Sequence, residues 1–309
     1  MMKNGRKFKN SLSGRLTVGV VIVSAIIFTL TCTVFIRMAA NKVREEATKH
    51  AHSELSNTIH QIDAILEGVE IAIQNTAWLV PYRLSSPEFM YSITERILRN
   101  NRFISGAAVA FEPDYYPSEG YYYSPYSYRD ENGKIQSKQL GSEAYDYHYM
   151  DWYQIPKLLD RPYWSEPYYD DGGGEMMMTT YSMPLSDEFG NLYAIITADL
   201  SLEWLTELVS DIRAFDKSFN LMVSRNASYI VHPDRNLILN ETIFSSTYGD
   251  EDESLKKMQD DMVHCRAGEV LRDMADGKYF VFYSPVETTC WSVAIVCPRS
   301  ELYLGVKKM

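Results

Sequence analysis

Two apolar patterns dominate the first quarter of the chain. The run Leu16–Ile36 is apolar apart from Thr, Ser, Gly and one Cys, about the length that a helix needs to cross a bilayer. After it, Asn41–Trp78 predicts one long helix, and Pro81 predicts its end. Apolar residues there recur at alternating spacings of three and four, which makes one stripe along the helix. The stripe consists of Leu55, Ile59, Ile62, Leu66, Val69 and Ile73.

Short strands and short helices are predicted for the remainder. Pro87–Asn100 predicts a helix, because Pro is favoured at a first helical position. Alternating or continuous apolar runs bounded by turn residues predict strands. The predicted strands are Phe103–Phe111, Tyr121–Tyr128, Ile135–Leu140, Tyr163–Tyr169, Met176–Leu185, Leu192–Leu200, Glu269–Met274, Tyr279–Pro285 and Trp291–Cys297, with a further strand region in Phe219–Val231. The further predicted helices are Asp151–Leu158, Leu202–Ile212 and Glu251–Arg266.

A weak internal repeat divides these elements into two groups. Tyr181–Leu185 reads YSMPL and Tyr283–Val286 reads YSPV. Each motif is followed by a turn, a strand and the start of a helix. The repeat predicts two modules of one α+β architecture in a row.

The distribution of charge predicts the orientation of the chain across the membrane. Residues 1–15 contain five basic residues and no acidic one, so this tail should stay in the cytoplasm while the remainder is exported. A cleaved signal peptide is the alternative, but its apolar region should be shorter and end in small residues. This run ends at Arg37-Met38, which favours a retained anchor over residues 16–37. We therefore expect an inner-membrane protein whose main part lies in the periplasm or outside the cell.

The acidic balance and the cysteines exclude several classes. The net charge of -11 argues against nucleic acid as a partner, because phosphate binding needs a basic face. No C-x-x-C pair is present, so metal and thioredoxin-like interpretations lack support. Cys290 and Cys297 flank one predicted strand at an odd separation and should face opposite sides. We expect Cys265, Cys290 and Cys297 to be buried free thiols.

The most informative stretch for function is Tyr145–Leu205. It is rich in aromatic residues, contains a Gly-rich turn at Gly172–Gly174 and ends two apolar runs on one carboxylate, Asp199. Aromatic walls with few polar groups are typical of a small-ligand pocket. A Tyr-rich core with its hydroxyls at the surface is the alternative interpretation. Asp199 could also cap the following helix, although Ser201 is better placed to do so.

Motifs for catalysis and metal binding are not found in the sequence. It contains no G-x-S-x-G, H-E-x-x-H or Walker-type motif, so we predict no catalytic residue and no cofactor. Asp170, Asp171 and Glu175 could bind Ca²⁺, but loop carboxylates are more often solvated. We therefore predict no metal site.

These features together resemble the double Cache sensor domain of bacterial transmembrane receptors. The likeness lies in YDYHYMDWYQIPKL, PYWSEPYYDDGGGEMMMTTYSMPL, ADLSLEWL and YIVHP. It is greatest to extracytoplasmic sensor regions that precede a SpoIIE-type phosphatase or a histidine kinase. The resemblance implies two stacked PAS-like modules with antiparallel sheets. The predicted divisions are 1–15 for a basic tail, 16–37 for a membrane helix, 38–80 for a stalk helix, 81–213 for a membrane-distal module and 214–306 for a membrane-proximal module.

The resemblance also implies ligand-binding residues. Amino-acid-binding members carry an Arg two residues before a Trp-Tyr pair, then a Tyr, then an Asp that ends a later strand. Here the pair is Trp152-Tyr153, and the Tyr and Asp match Tyr168 and Asp199. Met150 stands at the Arg position, and a thioether cannot clamp a carboxylate. Further candidates for the rim, on position alone, are Tyr121, Tyr123, Tyr147 and Tyr149.

Three functions remain open at this point. The favoured one is a sensor that binds a small polar or cationic ligand in the membrane-distal module and signals across the membrane, as a homodimer. The alternative is a ligand-free module that serves dimerisation or protein contact. An exported hydrolase is less favoured, because no nucleophile–base pair is apparent. The chain is either the sensor part of a longer receptor or a stand-alone anchored sensor.

Overall fold

One long helix forms the N-terminal part of the structure. The computed structural model describes residues 12–172, 174–212, 214–274 and 277–303; most of the predicted basic tail, and residues 304–306 of the predicted second module, lie outside it. Helix α1 spans Leu12–Ala77 without interruption. Its N-terminal part is long and apolar enough to cross a membrane.

The compact unit Ala51–Pro298 contains two antiparallel sheets. The first sheet has the order β3-β2-β1-β7-β6-β4, with β5 paired to β6. Its strands are β1 (Ile104–Phe111), β2 (Pro125–Arg129), β3 (Ile135–Gln139), β4 (Tyr163–Trp164), β5 (Tyr168–Tyr169), β6 (Met177–Ser186) and β7 (Leu192–Ser201), and its helices are α2 (Phe89–Asn100) and α3 (Asp151–Leu159). The predicted strand Tyr163–Tyr169 is two short strands separated by a stretch that contains Pro167, which has no N–H for a ladder.

The second sheet has the order β10-β11-β12-β8-β9. Its elements are α4 (Leu202–Ser210), β8 (Phe219–Val223), β9 (Tyr229–Val231), α5 (Glu253–Val263), β10 (Gly268–Met274), β11 (Gly277–Pro285) and β12 (Ser292–Pro298). The run β6-β7-β1-β2 of the first sheet has the same connectivity as β11-β12-β8-β9 of the second. The α+β class and the repeated architecture are therefore confirmed, and we refer to the two sheets with their helices as the first and second modules.

Different helices cover the two faces of the first sheet. Helix α1 covers one of them: Leu66 and Ile73 are fully buried, and Trp164 Nε1 donates to Glu70 Oε1 at 2.8 Å. The whole predicted stripe of α1 is at most 5% exposed, which confirms the assignment of that helix face. Helix α3 covers the opposite face, where Trp152 packs against the β-sheet residues Tyr126 and Ile195.

A disulfide joins Cys265 to Cys290. The prediction that both are free thiols was therefore wrong. Cys265 follows α5 and Cys290 precedes β12, so the bond connects the end of the helix to the turn of the neighbouring hairpin. Cys297 lies buried in β12.

Arg225, in the turn between β8 and β9, connects the two modules. Its guanidinium forms an ion pair with Glu166. It also donates to Tyr163 Oη at 3.0 Å and to the Trp164 carbonyl oxygen at 2.8 Å. All three partners belong to the segment from β4 to the start of β5. The bonds therefore fix this segment of the first module to the second module.

Candidate functional site

Asp199 lies near the end of β7, in the middle of the first sheet. It is paired with Gly106 on β1 and with Thr180 on β6, and opposed residues of antiparallel strands share a face. A Cβ atom at Gly106 would lie 2.3 Å from Asp199 Oδ2. Glycine at this position therefore leaves the space that the carboxylate occupies.

Two hydroxyl groups hold the Asp199 carboxylate. Tyr126 Oη donates to Oδ2 at 3.1 Å, and Thr180 Oγ1 donates to Oδ1 at 2.9 Å. Tyr168 Oη lies 2.8 Å from Thr180 Oγ1 and extends the network. Asp199 is only 5% exposed. Ser201, not Asp199, caps α4, since Ser201 Oγ accepts from the N–H of Glu203.

Burial dominates the electrostatics of Asp199. Removal from water, and secondly the nearby charge of Asp170, raise the pKa of Asp199 to about 7, because both disfavour the ionised form. The hydrogen bonds from Thr180 and Tyr126 oppose this effect without cancelling it. A carboxyl group kept half-neutral near pH 7 is typical of functional sites.

Asp170 is a second buried carboxylate beside the first. It directly follows β5 and is 5% exposed. Tyr145 Oη donates to Asp170 Oδ1 at 2.8 Å, and the N–H of Gly174 donates to Oδ2. The sequence had suggested Asp170 only as a possible calcium ligand. Within the described ranges, no group of three or more His, Cys, Asp or Glu residues is arranged to hold a metal ion.

Aromatic side chains surround the two carboxylates. Trp152 lies on the first turn of α3, and the Tyr145 side chain packs against the cluster that contains it. Tyr126 and Tyr168 belong to the same cluster as Trp152, and burial raises the pKa of both tyrosines well above its usual value. The structure thus brings three of the predicted residues, Trp152, Tyr168 and Asp199, into one connected group.

Tyr147 and Tyr153 lie behind Trp152 and are fully buried. Tyr147 Oη donates to the carbonyl oxygen of Phe111 at 2.8 Å. Tyr153 Oη donates to Glu112 Oε1 at 2.7 Å, where Lys157 also forms an ion pair. Their polar groups are used in packing, so both residues support the wall rather than face the carboxylates.

The three remaining predicted residues lie apart from this group. Tyr123 packs against Phe111 and Tyr116. Tyr121 stacks edge-on against His148 and is 44% exposed, and Tyr149 is 79% exposed. The structure places none of them in contact with Asp199, and their role in binding stays a prediction.

Met150 occupies the position that the resemblance assigns to a carboxylate-binding Arg. It is the N-terminal cap residue of α3 and makes no side-chain capping bond. Its side chain is partly buried against the cluster that contains Trp152. The site therefore offers a thioether where a guanidinium would hold a carboxylate.

Neither carboxylate forms an ion pair with a Lys, Arg or His side chain within the part of the chain that the structure describes. Lys138 lies over the rings of Tyr128 at 5.2 Å and Tyr126 at 5.9 Å, and it donates to the carbonyl oxygen of Gly172. Two buried acids with aromatic walls form a setting that favours a positively charged group.

Comparison with known proteins supports a sensor class. Residues 90–207 match the family described as methyl-accepting chemotaxis protein-like, first PDC sensor domain. This range contains most of the first module, including Trp152, Tyr168, Asp170 and Asp199.

Solved structures extend the likeness to both modules. A structure described as the extracellular domain of a histidine kinase, mmHK1S-Z3, is 27% identical, with a TM-score of 0.72, over 85% of this chain and 98% of its own. The periplasmic sensory domain of the Campylobacter jejuni chemoreceptor Tlp1 is 14% identical, with a TM-score of 0.66, over 82% and 95%. The ligand binding domain of the Pseudomonas aeruginosa PAO1 amino acid chemoreceptor PctB, in complex with L-Gln, is 18% identical, with a TM-score of 0.57, over 82% and 92%.

The chain therefore carries a sensor domain of the double Cache class. The resemblance drawn from the sequence motifs is confirmed by the family match and by the shared two-module fold. The proteins that it matches are sensor domains of receptors.

Proposed function

We propose that the first module binds a small organic cation outside the cytoplasm and that the chain is the sensor region of a membrane-anchored receptor. The observation that carries this proposal is the pair of buried carboxylates, Asp170 and Asp199, with aromatic side chains around them. A buried negative charge is costly unless it is paired. A cationic ligand would supply the missing partner, and the rings of Tyr126, Tyr168 and Trp152 would add cation–π attraction.

The proposal departs from the amino-acid ligands of some relatives. PctB is described in complex with L-Gln and Mlp24 with asparagine. An α-amino acid presents a carboxylate as well as an ammonium group. Met150 cannot pair with that carboxylate, and Asp170 adds a repelling charge, so an amine without a carboxylate fits this site better.

Signalling would use the connections between the site and helix α1. Trp164 on β4 donates to Glu70 of α1, and β4 pairs with β6 through Tyr163 and Ser182. A ligand that draws β5 and β6 towards itself would shift this anchor point. It can do so only to the extent that it binds the shifted state more tightly.

The test is a ligand screen of the full chain in lipid nanodiscs by thermal shift and calorimetry. The panel contains primary amines, quaternary ammonium compounds, α-amino acids and carboxylates. We expect amines or quaternary ammonium compounds to bind wild type and Asp171→Asn, whose acid is exposed, but not Asp170→Asn or Asp199→Asn. If carboxylates bind and cations do not, or if Asp199→Asn binds cations as well as wild type, the proposed ligand class is wrong.

A further inference from the structure

The second module contains a mainly apolar cavity of about 260 Å³. It lies between the second sheet and α5. Its apolar lining includes Leu221, Ile243, Leu255, Met258, Val281 and Val296. All six of these side chains are at most 7% exposed, so this part of the wall belongs to the core of the module.

The cavity occupies the same place in its module as the candidate site does in the first. In the first module, α3 covers the sheet face that carries Asp199. In the second, α5 precedes the hairpin strand β10 as α3 precedes β4, and it covers the face that carries Val281 and Val296. The repeated architecture therefore places this cavity and the Asp199 site under corresponding helices.

A buried arginine forms part of the cavity wall. Arg272, on β10, lines the cavity and is 8% exposed. One end of its guanidinium donates to Asp250 Oδ2 at 2.7 Å, and Asp252 Oδ2 is 3.8 Å from Nε. Nε itself is buried and has no hydrogen-bond partner. An unsatisfied donor of this kind is uncommon in a folded protein and calls for an explanation.

Further polar side chains line the cavity near Arg272. Arg272 lowers the pKa of the Tyr229 hydroxyl, although burial raises that pKa overall. The Nδ1 of His232 lies 3.0 Å from the backbone nitrogen and 3.3 Å from the carbonyl oxygen of Asp234. Among the described residues that line the cavity, none is Asp or Glu. The polar character of the lining is therefore opposite to that of the first site.

We propose that this cavity is a second ligand site, which takes a small monocarboxylate with an apolar body. The carboxylate receives a hydrogen bond from Arg272 Nε, and the apolar body fills the space beneath α5. The volume is below the range of about 300–1,000 Å³ that is typical of drug-sized ligands, so the ligand is smaller than these. This site is separate from the one in the first module and does not depend on the function proposed for it.

The test uses phenylacetate and hexanoate as probes and 2-phenylethylamine as the matched cation. Binding to the full chain in nanodiscs is measured by calorimetry and by ligand-observed NMR. We expect saturable binding of a carboxylate probe at one site per chain. Arg272→Gln should weaken it by about tenfold or more, because it removes a charged donor. Val281→Phe should abolish it by filling the cavity.

The matched control for Arg272→Gln is Asp250→Asn. It breaks the same ion pair but keeps the guanidinium, so carboxylate binding should be retained or tightened. The comparison of Arg272→Gln with Asp250→Asn tests carboxylate binding at the cavity even if Val281→Phe does not fold. Asp199→Asn should leave the binding of phenylacetate unchanged.

Three results would overturn the proposal. They are the absence of saturable binding of either carboxylate at 10 mM (about the weakest affinity worth assigning to a site), equal affinity of Arg272→Gln and wild type, and displacement of phenylacetate by 2-phenylethylamine at this cavity. Binding of the amine that is lost only in Asp199→Asn belongs to the first module and leaves the second site standing.

Discussion

Replacement of Asp199 by Asn should stabilise the ligand-free protein at neutral and alkaline pH. The pKa of Asp199 is about 7 in the folded state and about 4 in an unfolded chain. The folded state therefore holds a proton that the unfolded state has released. The stability that comes from this protonation is complete below pH ~4 and is lost as the pH rises through about 7.

The magnitude follows from the size of the shift. About three pKa units correspond to roughly 4 kcal/mol of unfolding free energy, at about 1.4 kcal/mol per unit. Because Asn is neutral at every pH, Asp199→Asn lacks this loss. The difference in unfolding free energy between Asp199→Asn and wild type should therefore increase by up to about 4 kcal/mol between pH 4 and pH 8. A constant offset from altered bonds to Tyr126 and Thr180 cancels in this difference.

The assay is chemical denaturation of both proteins at pH 5, 6, 7 and 8, followed by tryptophan fluorescence. The matched control is Asp171→Asn, because Asp171 is the exposed neighbour of the second acid. Its curve should run parallel to that of wild type. Parallel curves for Asp199→Asn and wild type would show that Asp199 is not desolvated as described.

The affinity for a cationic ligand should rise with pH, whereas the unfolding free energy of the wild-type protein should fall. A cation requires the ionised carboxylate, and the ionised fraction of a group with a pKa of about 7 is about tenfold larger at pH 8 than at pH 6. The affinity for a permanently charged quaternary ammonium ligand should therefore rise by about tenfold over this range. An affinity that does not vary with pH would contradict the role given to Asp199.

The remaining predictions concern the ligand class, the floor of the site and the disulfide. Met150→Arg should create affinity for α-amino acids by calorimetry, since it restores a carboxylate clamp; Met150→Lys is the control for charge alone, and no gain over that control would contradict the reasoning. Gly106→Ala should abolish binding in the same assay, because its Cβ would collide with the Asp199 carboxylate; normal affinity would show that the carboxylate has room to move. Replacement of both Cys265 and Cys290 by Ser should cost about 3 kcal/mol of unfolding free energy, measured by urea denaturation, and reduction of wild type should reproduce this loss.

The elements that are defined by local periodicity could be predicted from the sequence. The stripe of α1 is one such element, because the spacing of Leu55 to Ile73 determines which face is buried. Asp199 was recognisable as the one acid at the end of two apolar runs. These features depend on residues close together in the chain, so a single sequence contains enough information to place them.

Features that depend on distant contacts were missed. Asp170 and Asp171 are alike in sequence, and only the turn closed by the bond from Asp170 N–H to the Met176 carbonyl oxygen decides which acid faces inwards. Cys265 and Cys290 meet because the end of α5 lies beside a hairpin turn that is far away along the chain. The odd separation of Cys290 and Cys297 along one strand could not reveal the pairing of Cys265 with Cys290.

Tyr123 was chosen as a rim candidate on position alone. The predicted strand Tyr121–Tyr128 begins only at Pro125, and Tyr123, which precedes it, packs with Phe111. Tyr126 lies within the strand and reaches Asp199. The two tyrosines are an odd number of residues apart, so alternation would also have placed them on opposite faces.

The bonds from Arg225 to the first module have a mechanical consequence. Its three partners lie on the short connection that leads into Tyr168, and Arg225 itself sits at the tip of a hairpin in the other module. If a ligand moves Tyr168 inwards, that connection must either move the hairpin tip with it or lose its hydrogen bonds to the guanidinium. If the first module binds a ligand as proposed, Arg225 would pass the displacement on to the second module, and its removal would uncouple the two modules.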